Sequence, residues 1–177
     1  MNRIKNLLSV LIATSALIML NEMILVSFSE DTAMKITSSA FEHNQMIPPK
    51  YACQGEDINP KLIISQVPEE AKSLALIVDD PDAPMGTWTH WVVFDIPPET
   101  GEIKEDTIPG IQGNNNFGRN DWGGPCPPGG THRYFFKIYA LDTKLDLKEG
   151  AKKNEIEDAM KDHILDKAEM IGVYKKS

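Results

Sequence analysis

"SLALIVDDPDAP", residues 73–84, runs an unbroken apolar segment, Leu74 to Val78, straight into three acids and two prolines. Five apolar residues in a row with no helical period, closed by proline, mark a buried strand that ends at a polar rim. Pro81 and Pro84 restrict the residues before them to extended conformations, so the acids are held in a turn and no helix forms there. Two further stretches have the same form. "THWVVFDIPP", residues 89–98, sets β-forming Trp91, Val92, Val93 and Phe94 before a Pro97-Pro98 stop, and "HRYFFKIYALD" extends from His132 to Asp142.

Upstream, "MKITSSAF" (residues 34–41) alternates with a period of two and predicts a strand. "NQMIPPKYACQGEDINPKLIIS" (44–65) has too many prolines for a long helix and reads as short strands and connections. Residues 101–130 form a turn-rich segment of a length usually kept for a binding site. Near the C-terminus one amphipathic helix is expected over residues 151–162, with Ile156, Ala159, Met160 and His163 on one face, and a last strand over residues 169–174. Many β-segments and a single late helix predict a mainly β fold, an antiparallel Greek-key-like sandwich with one or two peripheral helices near the C-terminus.

Composition narrows the function. The chain has 177 residues and a net charge of −8, with no basic stripe carrying interleaved aromatics, which argues against a nucleic-acid partner. Residues 1–29 join a basic start, Arg3 and Lys5, to an apolar run, the pattern of a signal peptide or, if uncleaved, a membrane anchor. That leader predicts a periplasmic or secreted domain over residues 30–177, touching membrane only through the leader. Cys53 and Cys126 are the two cysteines, and the sequence alone leaves both a disulfide and two buried thiols open.

Antiparallel neighbours bring the C-terminal end of one strand beside the N-terminal ends of the next. This gathers Asp79, Asp80 and Asp82 with His90, His132 and Arg133. Side chains alternate along a strand, so His132 and Arg133 point to opposite sides. His132 is expected in the site and Arg133 as a structural support for an acid of the turn. His43 and His163 are assigned structural roles. "GPCPPGG", residues 124–130, forms a stiff hoop whose backbone N–H groups can turn toward an anion, with His132 supplying a donor. The alternative is a metal-dependent hydrolase using Asp80, Asp82, His90 and His132, although their spacing matches no metal motif.

The segments "YACQGEDINP", "SLALIVDDPDAP", "THWVVFDIP", "FGRNDWGGPCPPGGTHRYFFKIYALD" and "AMKDHILDKAEMIGVY", in this order, resemble the phosphatidylethanolamine-binding proteins, in particular their bacterial and archaeal Raf kinase inhibitor-like branch. The resemblance implies a β-sandwich binding a small anion such as phosphate or a phosphoethanolamine-like headgroup. It implies no catalysis, no cofactor and no metal. It places Asp80 and His90 as pocket walls, His132 as the histidine of a G-x-H-R motif, Gly124, Cys126 and Pro127 as the donor loop, and Tyr134 as a neighbouring wall; Asp82 joins this ligand set through its turn. Partners implied are the small anion, a protein regulated in the manner of a kinase or protease inhibitor, and a second copy of the chain. Asp79 stands where many bacterial members carry glutamate.

Overall fold

The computed structural model describes residues 33–176. The expected leader, residues 1–29, lies outside them. Among the described residues, nine strands and one α-helix, with a single 3-10 turn at Pro49–Tyr51, make up the fold: β1 (Lys35–Ser38), β2 (Gln45–Met46), β3 (Leu62–Ser65), β4 (Ser73–Asp80), β5 (Trp88–Ile96), β6 (Glu102–Ile103), β7 (Ile111–Gln112), β8 (Thr131–Leu141), α1 (Lys153–Met160) and β9 (Ile164–Lys175). They build a small sheet, β1-β3-β6, and a six-stranded sheet, β2-β9-β8-β4-β5-β7. The β4–β5 hairpin is extended when residues 97–130 cross over and return β8 to the far side of β4, a Greek-key-like path.

Every residue of β4 is buried, because both faces of the large sheet are covered. Leu74, Leu76 and Val78 point between the sheets and pack with Trp91, Tyr134, Phe136 and Ile138. Ala75 and Ile77 point the other way, onto Val92, Phe94, Leu145 and the helix residues Ile156 and Met160. Period-two alternation along a central strand thus supplies two cores at once.

The mainly β, Greek-key-like sandwich with a helix near the C-terminus is as expected, with three local differences. The sandwich is not wholly antiparallel: β2 pairs parallel to β9, because two residues arriving from the Phe41–Asn44 loop dock on its free edge. α1 is shorter than residues 151–162, and His163 is not on it. The chain turns after Met160, and His163 Nδ1 meets Asp142 at 2.7 Å instead. β9 begins at Ile164 rather than 169. Its first half is largely exposed on both faces, so no alternation marks it, and only its register against β8 defines it.

Candidate functional site

The ends of β4, β5 and β8 meet as antiparallel pairing requires, with Asp79 opposite both Thr89 and Phe135 and Asp80 opposite Trp88. The acids nonetheless go to three different places. Asp80 follows Val78 to the inter-sheet side, where its Oδ2 accepts from His132 Nδ1 at 2.7 Å and its Oδ1 accepts from the Asp82 backbone N–H at 2.8 Å. Asp79 faces the helix side. There it accepts from Thr89 Oγ1 at 3.1 Å, Lys137 Nζ at 3.2 Å and Lys153 Nζ at 2.7 Å. Asp82 leaves the sheet and takes the Arg133 guanidinium in a fork, with bonds of 2.9 and 2.7 Å.

His90 reaches the site through a bulge. Val78 pairs with Trp91 but Asp79 pairs with Thr89, so His90 is the extra residue of β5. A bulge lets consecutive side chains share one side, and His90 and Trp91 both turn between the sheets while Thr89 turns to Asp79. The His90 ring is 3% exposed, edge-on to Phe117 at 5.3 Å and to Tyr134 at 5.1 Å. Its Nδ1 lies 2.6 Å from the Gly123 carbonyl, which can only accept, so Nδ1 carries the proton. Burial pushes the imidazole pKa down, against the opposing pull of the Gly123 carbonyl and Asp80.

A cavity of about 300 Å³ opens here. Of the residues expected in the site, Asp80, His90 and Cys126 line it. His132 stands behind Asp80, and Tyr134 behind His90. The Tyr134 hydroxyl is buried against the Cys126 backbone, with no side-chain hydrogen-bond partner among the described residues, and burial raises its pKa well above the usual phenol range. Arg133 is the support expected of it, and it holds the Asp82 carboxyl down at about 2.

The other residues expected in the site lie off the cavity wall. Asp82 is not a cavity residue, because Arg133 occupies both its oxygens. Gly124 faces away: its N–H donates to Asp57 Oδ1 at 2.7 Å, and a Cβ there would strike Asp57 and the Tyr51 carbonyl. Pro128 lines the cavity in place of Pro127, and three prolines leave Cys126 with the only N–H between Pro125 and Pro128. Nor are the four residues of the hydrolase alternative assembled. Asp82 is turned to Arg133, and among the described residues no group of three or more His, Cys, Asp or Glu is arranged to hold a metal.

The walls that sequence reasoning missed are Ala83, Pro84, Met85, Trp88, Phe117 and Pro128. They make an apolar mouth, with Met85 92% and Phe117 40% exposed. Phe117 is a lone aromatic in the polar run "NNNFGRN", which is a signal that could have been used. Gly123 fixes it, since a Cβ at Gly123 would overlap the Phe117 ring. Cys126 is bridged to Cys53, Cα to Cα 5.5 Å, which decides between the two readings of the cysteines and ties the cavity wall to the 49–55 turn.

A sandwich of this topology has counterparts among known proteins. The family model for phosphatidylethanolamine-binding protein matches residues 37–175. The chain belongs to the phosphatidylethanolamine-binding protein family. It is 49% identical over 150 residues to a UPF0098 protein of Methanothermobacter thermautotrophicus, covering 81% of this chain and 99% of that one. A UPF0098 protein of Pyrococcus horikoshii is 45% identical over 183 residues, 97% of this chain and 90% of its own. Among solved structures, a phosphatidylethanolamine-binding protein homologue from Chlamydia trachomatis superposes with a TM-score of 0.81 at 44% identity, over 83% of this chain and all of that one. E. coli YbcL gives 0.76 at 31% identity, over 81% and 99%.

Proposed function

We propose that the cavity at the ends of β4, β5 and β8 binds a small oxyanion, either free or as the phosphate-bearing headgroup of a larger molecule. One observation carries this reading: Asp80, hydrogen-bonded to His132, and His90, fixed by Gly123, converge on one cavity behind a rigid proline hoop. Convergent polar groups in an otherwise apolar concavity are the usual form of a ligand site. The apolar mouth of Met85, Trp88 and Phe117 suits a ligand whose polar end enters first.

Titration with phosphate and with phosphoethanolamine, followed through the imidazole resonances of His90 and His132 by NMR, tests the reading. Saturable shifts of both rings at millimolar ligand are the expected outcome. Unmoved resonances would overturn it.

A further inference from the structure

The cavity's own chemistry restricts which oxyanion it can take. Among the described residues, the side chains with polar groups that line it are those of Asp80, His90 and Trp88. Because Nδ1–H of His90 donates to the Gly123 carbonyl, the neutral ring presents its other nitrogen, Nε2, as a lone-pair acceptor. Asp80 is also an acceptor. Trp88 N–H and the nearby Tyr134 O–H are neutral donors.

Among the described residues, no lysine or arginine lines the cavity. Arg133 is bound to Asp82 and points to the opposite side of β8 from His132. Arg119, stacked on Phe117 at 5.7 Å, is held by Asp121 and the Trp122 carbonyl. The His132 ring, donating to Asp80, cancels at most that carboxylate's own charge. The titratable groups facing His90 are Asp80 on β4 and Tyr134 on β8, with Asp79 behind the same strand end; the Phe117 loop brings none against it.

An oxyanion entering such a site meets two acceptors, a few neutral donors including the Cys126 backbone N–H, and, among the described residues, no cation to offset its charge. A fully ionised tetrahedral anion would set its oxygens against the Asp80 oxygens and the Nε2 lone pair, all acceptors, with only repulsion between them. An anion bearing a proton can donate to one of them. Resting on the anion-binding reading above, we propose that the site is selective for protonated oxyanions, namely hydrogen phosphate or a phosphate monoester monoanion, and rejects sulfate, with Asp80 and His90 Nε2 as the discriminating acceptors.

Calorimetric titration of the whole protein with phosphate, phenyl phosphate and sulfate tests this. Sulfate should bind at least about tenfold more weakly than phosphate, the ratio set by 1.4 kcal/mol. Phenyl phosphate should lose affinity as pH rises past its second ionisation, near about 6 for a phosphate monoester. In Asp80→Asn the carboxamide adds a donor, and the phosphate-to-sulfate ratio should fall toward one. Sulfate binding as tightly as phosphate to the unaltered protein would overturn the selectivity and leave anion binding standing. Failure of all three ligands to bind would overturn both. The ratio and its pH dependence are read on the unaltered protein, so they decide the matter even if Asp80→Asn does not fold.

Discussion

Asp79 and Asp80 are neighbours on one strand, and both are nearly inaccessible to water, yet the surroundings of the two carboxylates are opposite in kind. On the helix side of the sheet Asp79 is saturated by the Thr89 hydroxyl and two ammonium groups, and nothing remains for a ligand. On the inter-sheet side Asp80 receives one imidazole and one backbone N–H and still forms part of a cavity wall. Buried charge must be paired. Where the partners are the protein's own cations, the result is a structural clamp joining β4, β5, β8 and α1; where they are incomplete, the result is a site.

The contrast can be broken experimentally, and the largest effect is expected where the cavity side alone has a covalent tie. Cys53–Cys126 closes a loop across a sequence separation of 73 residues. In the chain-entropy account such a loop contributes roughly 4 kcal/mol. Cys53→Ser with Cys126→Ser should lower unfolding stability by about that amount in urea titrations. It should also weaken phosphate binding only partly, because Gly124 N–H to Asp57 and Cys53 N–H to the Pro125 carbonyl still hold the hoop. Complete loss of binding in a folded double variant would show that the bridge itself shapes the site.

Exchanging the roles of the two acids sharpens the contrast further. Asp79→Ala leaves Lys137 and Lys153 facing each other, with only the 3.6 Å contact from Lys153 to Glu157 to offset them. Breaking a buried pair costs roughly 3–5 kcal/mol, and the low end applies because both lysines partly reach water. Phosphate affinity should change little. Asp80→Asn keeps the shape and should cost about 1 kcal/mol in stability, while altering anion affinity and selectivity. Equal effects of the two substitutions on binding would remove the distinction between clamp and site.

The smallest effect belongs to the third acid of the turn. Arg133 holds the Asp82 carboxyl at about 2, below its usual 3.8. A depressed acid stabilises the fold fully above the unfolded value, and that contribution disappears as pH falls through the folded one. The stability gap between the natural protein and Asp82→Asn should therefore be small and constant above about pH 5, and close between 3.8 and about 2. The pair is largely exposed, which limits its size. A gap that persists unchanged at pH 2 would mean the ion pair contributes nothing.

Much of this architecture was legible because strong local signals agreed. The apolar runs of β4, β5 and β8 end in prolines or charged turns, and antiparallel pairing alone brings Asp80, His90 and His132 to one rim. Alternation correctly sent Arg133 away from His132 and toward an acid of the turn. Phe117, Met85 and Trp88 were missed because a cavity wall is made of residues distant in sequence, and no period or motif joins them. The first half of β9 was missed for the converse reason: a strand exposed on both faces has no alternation to show.

What the sequence determined by itself was therefore the central strands β4, β5 and β8, the stiffness of the hoop and the identity of the polar groups at its base, since these follow from side-chain size, proline geometry and period. Tertiary structure alone decided which way those groups face. Strict alternation from Trp91 would have carried His90 to the helix side; the bulge turned it into the cavity. Three neighbouring aspartates became a clamp, a cavity wall and an arginine partner because each carboxylate took the cations and amides that packing brought within hydrogen-bond reach.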